Sequence, residues 1–382
     1  MQDFMFSVPQ NIVFGKGSIK KLSSLVEKIG AKKLLVISGR NLEKVGTVQR
    51  ITDILDKSGI EHEEFLDVEP NPSVETVNAA MAIYRNSKAE AIIALGGGSP
   101  MDVAKAVGIL AAHGGEITQY EGSNLVPSKI VPVLAIPTTA GTGSETTAFA
   151  VITDKSRNYK FTVSSNELIP CYAVMDPELI MSLPAFVAAS TGIDALVHAI
   201  EAYLSKVASP FTDAMAEKSM ELIGKNIRRF VADRSNEEAA CSMMMASNFA
   251  GIAFSWARLG NVHAMAHPLG GFFNVPHGVA NAILMPVVLE YNALSDNGKY
   301  EKIYNLIKEG KTNTDFFTPD TLVHEIRRLI ESLGIPGNLS SVGVTEDKIP
   351  LMASDAMKSG NIAVNPRVSI ASDIEMLYKK AM

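Results

Sequence analysis

The sequence predicts an N-terminal α/β domain with a mostly parallel sheet, followed by an all-α C-terminal domain. In the first half, short apolar runs alternate with segments of helical periodicity. Strands that alternate with helices need crossover connections, which give a parallel sheet covered on both faces. After about residue 183 the strand signal disappears. We therefore place the two domains at residues 1–183 and 184–382, a division that the length of 382 residues allows.

Each element has its own signal. The strand candidates are apolar runs at residues 34–38, 64–68, 91–95 and 131–136. Helical spacing covers residues 41–58, 73–86 and 100–112 between them, and Ser73 stands where a helix N-cap belongs. In the second half, helical patterns cover residues 184–204, 210–230, 237–256, 279–291, 299–308 and 318–332.

Composition narrows the function classes. The net charge of −6 and the absence of a Lys/Arg-rich run argue against a nucleic-acid partner. Two cysteines, and an N-terminus without signal-peptide regions, favour a reducing, cytoplasmic location. Residues 239–257 carry no charge but contain several polar side chains. We interpret them as a helix buried in a protein core and expect no membrane span.

A glycine-rich loop follows the strand candidate at residues 91–95. Gly96, Gly97 and Gly98 precede Ser99 at an N-cap position and Pro100 at the first helical position. Free N–H groups and the positive end of a helix favour an anion such as a diphosphate. The spacing is not GxGxxG, so a plain strand-to-helix turn is the alternative. A second loop of small and hydroxyl residues, at 137–145, follows the next strand candidate, and the two loops together predict a dinucleotide site.

Histidines are concentrated in the least charged part of the second half. Asp194 and His198 are four residues apart in a helical segment, so both project from one face. His263 and His267 are also four apart, and His277 follows ten residues later. A carboxylate and several imidazoles on apolar helices have the composition of a metal site. Any single one of these histidines is more often a hydrogen-bonded core residue, but a set of unpaired imidazoles in one core would be costly.

These motifs resemble those of one known family, the iron-containing (group III) alcohol dehydrogenases. The resemblance lies in GNVHAMAHPLG at residues 260–270 with PHG at 276–278, and in ASTGIDALVHAIE at 189–201. It extends to GGGSP at 96–100 with Asp102 and to PTTAGTGSE at 137–145. From FGKG at 14–17 to NPR at 365–367, it covers nearly the whole chain.

The resemblance implies a fold, an activity and a set of residues. The fold is that of the dehydroquinate synthase-like enzymes, with a nucleotide-binding domain, a helical metal-binding domain and the site in the cleft between them. The activity is hydride transfer between NAD(P)(H) and a short-chain primary alcohol, diol or aldehyde. Fe(II), with Zn(II) as the alternative, would be held by Asp194, His198, His263 and His277. His267 would relay or position a proton, and Asp102 would meet the nicotinamide amide.

The same resemblance assigns the remaining site positions. Cofactor-binding positions are Gly39, Arg40, Gly97, Gly98, Ser99, Asp102, Thr138, Thr139, Thr142, Thr147 and Lys160. Substrate-pocket positions are Phe149, Phe254 and Leu259, whose size suggests a narrow apolar channel. Family members that use NAD commonly carry an acid where this chain has Gly39, and Arg40 follows it. A guanidinium there suits a 2′-phosphate, so we expect NADP(H) to be favoured over NAD(H).

Several alternatives stay open from the sequence. A glycerol dehydrogenase-like polyol oxidoreductase with zinc, a dehydroquinate synthase-like lyase and a non-catalytic relative share this architecture. We expect a homo-oligomer, a dimer or higher, because relatives are often dimers. The apolar residues Phe4, Met5, Phe6 and Val8 either pair as an edge strand with a second subunit or cover the chain's own sheet.

Overall fold

The computed structural model describes residues 4–8, 10–157, 159–310 and 316–382. The chain divides into two compact units. The first, here called the α/β unit, contains the described residues of 8–139 and 143–180. The second, here called the helical unit, contains those of 4–7, 140–142 and 181–382.

The α/β unit is built on a parallel sheet. Among the described residues, six strands form it in the order β1-β9-β6-β4-β2-β3. Their bounds are β1 Asn11–Phe14, β2 Lys33–Ile37, β3 Glu61–Phe65, β4 Ala91–Gly96, β6 Val133–Pro137 and β9 Tyr172–Met175. A smaller sheet joins β5 Gly122–Ser123 and β7 Phe149–Asp154 to β8 Tyr159–Ser164. The predicted fold class, α/β with a mostly parallel sheet, is confirmed for this half.

Alternate residues of the central strands pack on opposite faces of the main sheet. Leu35, Ile92 and Val133 belong to one buried apolar cluster, whereas Leu34 and Ile93 belong to another. This two-sided burial follows from the period of two along a strand. It explains why the central strands are continuous apolar runs in the sequence.

Helices connect the strands of the α/β unit. They are α1 Leu22–Ile29, α2 Arg40–Lys44, α3 Thr47–Lys57, α4 Val74–Ser87 and α5 Gly98–His113. Because β2, β4 and β6 are parallel neighbours, the loops after them lie at one edge of the sheet. The register pairs Gly96 with Pro137, so the glycine loop and the loop after β6 start side by side.

The helical unit consists mainly of helices in its described part. They are α6 Ala185–Leu204, α7 Pro210–Ala232, α8 Glu237–Ala257, α9 Asn261–Phe273, α10 His277–Asn292, α11 Lys299–Ile307, α12 Pro319–Ser332, α13 Ile349–Met357 and α14 Ala371–Ala381. The prediction of an all-α second half is confirmed. The boundary after residue 183 between two independent domains stays a prediction.

One helix, α6, is long and apolar enough to cross a membrane by length and composition alone. In this protein 78% of the most apolar 18-residue stretch of α6 is buried inside the structure. The uncharged stretch at residues 239–257 forms most of α8, which is also largely buried. Both helices therefore have the burial of core helices.

The segment before β1 packs on helical side chains of its own unit. The Phe6 ring stacks on Phe211 with a centroid distance of 5.1 Å, and the Trp256 indole N–H donates to the Ser7 carbonyl oxygen at 2.9 Å. Residues 4–8 are not in a strand. In this chain Phe6 and Ser7 pack on α7 and α8, and the pairing of Phe4, Met5, Phe6 and Val8 as an edge strand with a second subunit stays a prediction.

Several predicted elements differ from the observed ones. The helix predicted at 41–58 is two helices, α2 and α3, because Gly46 takes a left-handed conformation between them. The strand predicted at 64–68 lies earlier, as β3. The helix after the glycine loop starts at Gly98 with Gly97 as its N-cap, so the N-cap position of Ser99 is wrong. Strands β1, β5, β7, β8 and β9 were not predicted.

The N-cap of α4 gives a stability prediction. The Ser73 hydroxyl accepts from the Thr76 backbone N–H and donates to Glu69. We expect Ser73→Ala to lower the stability of the protein by about 1 kcal/mol, because a helix N–H loses its acceptor. Calorimetry should show a melting temperature lower by about 2–4 °C. Ser87→Ala, at the other end of α4, is the control. Its melting temperature should be within a degree or so of wild type, a loss of stability of about 0.5 kcal/mol or less. Equal melting temperatures for the two variants would contradict the role of Ser73 as a cap.

Candidate metal centre and cofactor loops

Four side chains of the helical unit converge on one small space. Asp194 and His198 lie on α6, His263 on α9, and His277 is the first residue of α10. One ligand atom from each lies within 4.8 Å of all the others. The Asp194 Oδ1 atom is 3.8 Å from His263 Nε2 and 3.7 Å from His277 Nε2. Two ligands of a tetrahedral ion at about 2.1 Å bond length lie about 3.4 Å apart, so these separations fit a metal.

The local sequence explains this convergence. Asp194 and His198 are one helical turn apart on the same face of α6. The start of α10 comes close to α6, since a Cβ atom added at Gly278 would overlap the Ser190 carbonyl group. Glycine at 278 therefore lets His277 reach the carboxylate of Asp194.

Two of the three imidazoles are oriented by neighbours outside the cluster. The His198 Nδ1 atom faces the Gly141 carbonyl oxygen at 3.3 Å, and His263 Nδ1 faces the Glu201 carboxylate at 2.6 Å. The Nε2 atom of His263 therefore lies on the Asp194 side, and the Nε2 atom of His277 also faces Asp194. Burial lowers the pKa of His198, and burial together with the neighbouring histidines lowers the pKa of His263 well below its usual value. Neutral rings keep a lone pair for a metal.

Asn281 was not among the predicted site residues. Its amide nitrogen donates to Asp194 Oδ1 at 2.6 Å and lies 3.1 and 3.2 Å from the Nε2 atoms of His263 and His277. Its side-chain oxygen is buried and has no hydrogen-bond partner among the described residues. The cluster is thus a group of acceptors around one amide donor, which is a donor set suited to a cation. Asn281 is four residues after His277, and this helical spacing is the signal that would have found it.

Three further predicted residues of the helical unit have defined positions. His267 is one turn after His263 and stacks on His277 with a ring-centroid distance of 5.5 Å, beside the cluster and not in it. Phe254 stacks on His198 at 4.4 Å, and Leu259 is buried. The third predicted pocket residue, Phe149, is half-buried at the start of β7 in the α/β unit.

In the α/β unit, the loops after β4 and β6 lie against each other. The Thr138 backbone N–H donates to the Gly96 carbonyl oxygen at 3.0 Å. A Cβ atom added at Gly97 would lie 3.2 Å from Thr139 Oγ1, so glycine leaves the backbone there accessible. Gly98 and Ser99 form the first turn of α5, whose first N–H groups have no partner within the helix. This arrangement suits a diphosphate.

Asp102 and Lys105 form a buried polar network next to that helix start. The Ser144 hydroxyl donates to Asp102 Oδ1, and the Lys105 ammonium group donates to the Thr147 side chain and to the Phe149 carbonyl oxygen at 2.8 Å. Burial raises the pKa of Asp102 and lowers the pKa of Lys105. Lys105 was not predicted; its position one turn after Asp102 is the signal available in the sequence. The predicted cofactor residue Thr147 is therefore already bonded within the protein.

The other predicted cofactor residues are spread over the described chain. Gly39 is the N-cap of α2 and is separated from the end of β2 by Ser38. Arg40 is paired with Asp67 at 2.7 Å and with Glu43 at 3.1 Å. Lys160 donates to Asn71 at 2.8 Å, and burial lowers the pKa of Lys160 to about 8. Thr142 belongs to the helical unit.

A buried cluster of one carboxylate and three imidazoles on helices, together with a parallel sheet that carries a glycine-rich loop at a helix start, is typical of metal-dependent enzymes that use a nucleotide. Family models match most of the chain: "Iron-containing alcohol dehydrogenase" matches residues 9–177, and "Fe-containing alcohol dehydrogenase family, C-terminal" matches residues 188–382. The chain belongs to the iron-containing alcohol dehydrogenase family, as the sequence motifs predicted.

Several relatives match over nearly their full lengths. The chain is 39% identical to the 1,3-propanediol dehydrogenase of Klebsiella pneumoniae, covering 99% of this chain and 98% of the relative. It is 36% identical to the NAD-dependent methanol dehydrogenase of Bacillus methanolicus, covering 99% of each, and 38% identical to the lactaldehyde reductase of Escherichia coli K12, covering 96% and 97%. A crystal structure of a 1,3-propanediol oxidoreductase superposes with a TM-score of 0.96 at 39% identity over both full chains. The predicted activity class, alcohol dehydrogenase or aldehyde reductase, is confirmed.

The close approach at Gly278 gives a prediction for metal binding. We expect Gly278→Ala to push the start of α10 away from Ser190 and to weaken divalent metal binding at least tenfold, about 1.4 kcal/mol. Titration of the metal-free protein with Zn(II) against a chelating indicator measures this. Gly271→Ala is the matched control, because a Cβ atom there meets nothing within 4 Å. Equal metal affinities of Gly278→Ala and wild type would contradict the claim that the close contact between α10 and α6 positions His277.

Proposed function

We propose that this protein transfers hydride between NADP(H) and a short-chain primary alcohol or aldehyde, with Fe(II) at Asp194, His198, His263 and His277. The convergence of these four side chains is the observation that carries the proposal. Family membership supports iron, and the donor set of one carboxylate and three imidazoles also suits Zn(II). When bound, a divalent ion polarises an alcohol or carbonyl oxygen, and a nicotinamide accepts or donates hydride.

The chain's own residues hold, orient and shield these groups in the proposal. Asp194 is the one carboxylate among the four proposed ligands, so a divalent ion would be only partly neutralised there. Phe254 covers one face of the His198 ring and keeps water from that side. His267 presents a titratable ring next to His277 and is proposed to hold or pass the proton that the alcohol oxygen loses.

The α/β unit is proposed to bind the dinucleotide at the carboxyl edge of its sheet. Gly97, Gly98 and the start of α5 would hold the diphosphate, with the hydroxyls of Thr138 and Thr139 beside it. Asp102 is held by Ser144 and would accept from the nicotinamide carboxamide. Thr142, Thr147 and Lys160 complete the proposed set. Lys160 is already hydrogen-bonded to Asn71, and Thr147 to Lys105. Both side chains would therefore contact the cofactor while they keep these hydrogen bonds.

The proposed substrate is a small, unbranched alcohol, diol or aldehyde. Phe254 and Leu259 are buried apolar residues of the helical unit, and Phe149 is half-buried. The relatives named for 1,3-propanediol, methanol and lactaldehyde all act on short molecules, which supports this class.

Location and assembly are also proposed. Two cysteines, without a disulfide in the described part of the chain, support a cytoplasmic location. The edge strand β1 exposes Ile12 and Phe14 and is proposed to contribute to a homodimer or larger homo-oligomer.

An anaerobic assay tests the metal, the reaction and the ligand set. Protein stripped with a chelator and reloaded with Fe(II) or Zn(II) is supplied with butanal and NADPH or NADH. We expect Fe(II) to restore aldehyde-dependent oxidation of NADPH, and His263→Ala to lose both metal and turnover, since the ring faces Asp194. His324→Ala, on the exposed side of α12, is the control and should keep both. Normal metal content with wild-type turnover in His263→Ala would overturn the ligand set, and activity with Zn(II) alone would favour the zinc alternative.

The cofactor preference is tested at Arg40. A 2′-phosphate on this guanidinium would have to share or replace Asp67 and Glu43. If NADP(H) is favoured through Arg40, Arg40→Ala should lower kcat/KM for NADPH by about 10-fold to 100-fold, which corresponds to a charged hydrogen bond of about 1.5–3 kcal/mol, and should change that for NADH little. Asp67→Asn, which loosens the competing ion pair, should raise the preference for NADPH. A higher kcat/KM with NADH in the wild type would refute the preference.

A further inference from the structure

Glu201 is a buried carboxylate that belongs neither to the four-residue cluster nor to any predicted site. It lies on α6, seven residues after Asp194 and three after His198, so it continues the inward stripe of that helix. Its Oε1 atom accepts from the Val262 backbone N–H at 2.7 Å. Its Oε2 atom accepts from the His263 backbone N–H at 3.4 Å and lies 2.6 Å from His263 Nδ1. One side chain thus contacts both the backbone and the ring of the α9 histidine.

The start of α9 is built to receive this carboxylate. The N-cap is Gly260, which has no side chain to accept the first N–H groups of the helix. Glu201 from α6 supplies that acceptor, and Asn365 accepts from the Asn261 backbone N–H at 3.2 Å. A Cβ atom at Gly260 would lie 2.9 Å from Glu201 Oε1, so glycine leaves space for the carboxylate. The positive end of the helix favours a negative group at this place.

The contact between Glu201 and His263 sets the roles of the two ring nitrogens. Burial raises the pKa of Glu201 to about 8, and the backbone N–H groups of Val262 and His263 oppose this shift by stabilising the ionised form. The ionised carboxylate, 2.6 Å from Nδ1, accepts the Nδ1–H hydrogen bond and leaves Nε2 with its lone pair. Nε2 is the atom that faces Asp194 and His277. We propose that Glu201 is a positioning residue: by capping α9 and binding Nδ1 of His263, it holds that ring in the tautomer and orientation that bind the metal. This role rests on the proposed metal ligands.

The test is a metal-affinity measurement on Glu201→Gln. Glutamine has the same shape, but only one of its two terminal atoms is an acceptor. Its oxygen cannot accept from both the Val262 N–H and the His263 Nδ1–H. Its NH2 group would therefore face one of these two donors. We expect Zn(II) affinity, measured by competition with a chelator, to fall about 10-fold to 100-fold. The visible absorption spectrum of the Co(II)-loaded variant should differ from that of wild type, since the orientation of one ligand changes.

Two variants separate this role from general stability. Glu325→Gln removes another buried carboxylate of the helical unit, one paired with Arg228 and Arg328, and should keep wild-type metal affinity. Gly260→Ala keeps Glu201 but crowds its Oε1 atom, and should weaken Zn(II) binding by a smaller factor. If Glu201→Gln does not fold, Gly260→Ala carries the test with the same readouts.

The outcomes are distinguishable from failure of the proposed function. If the Zn(II) affinity of Glu201→Gln is within about twofold of wild type and its Co(II) spectrum is unchanged, the positioning role is overturned. The proposed function is then unaffected. A lower melting temperature of the metal-free variant with unchanged affinity also overturns it, because the role would then be structural only. If Glu201→Gln binds Zn(II) more weakly but the metal-loaded wild type turns over no alcohol or aldehyde, the positioning role is supported and the proposed function is refuted. A wild type that binds no divalent metal refutes both.

Discussion

The helical unit is organised around the cost of burying one carboxylate and two imidazoles in an apolar interior. Asp194, His198 and His263 are buried, and the removal of polar groups from water costs free energy unless they find partners. The structure offsets this cost with specific partners, Gly141 for His198, Glu201 for His263 and Asn281 for Asp194. Because each partner lies on a different segment, the packing of α6, α9 and α10 and the geometry of the cluster depend on each other.

Local sequence patterns predicted some of these elements and site residues. Continuous apolar runs identified β2, β4 and β6, because strands buried on both faces have no polar positions. Four-residue spacing identified Asp194 with His198. The edge strand β3, with the sequence EHEEF, has one buried residue and was misplaced for that reason. The antiparallel pair β7 and β8 was missed because only alternate residues are buried there, and this weaker period-two pattern was not followed.

Contacts between distant segments were beyond the reach of the sequence patterns. Glu201 stands in a family-like motif, but nothing local indicates that it caps a helix about 60 residues later. Lys105 appears in the sequence as an ordinary helical lysine, yet it is completely buried and joins α5 to Thr147 and Phe149. The sequence suggests a 2′-phosphate as the partner of Arg40, and only the structure shows that Asp67, 27 residues away, already pairs with it. Charge in the sequence shows what a side chain carries, and only the fold shows with which group it is paired.

The position of Trp256 has a practical consequence for optical experiments on this protein. It is the single tryptophan of the chain, it lies in the last turn of α8, and its indole is hydrogen-bonded to Ser7 beside the Phe6 ring. Intrinsic emission therefore monitors the surroundings of the N-terminal segment and α8, and it carries no direct signal from the parallel sheet. An unfolding curve recorded by fluorescence would describe the helical unit, while nucleotide-dependent changes in the α/β unit would need a tryptophan introduced there.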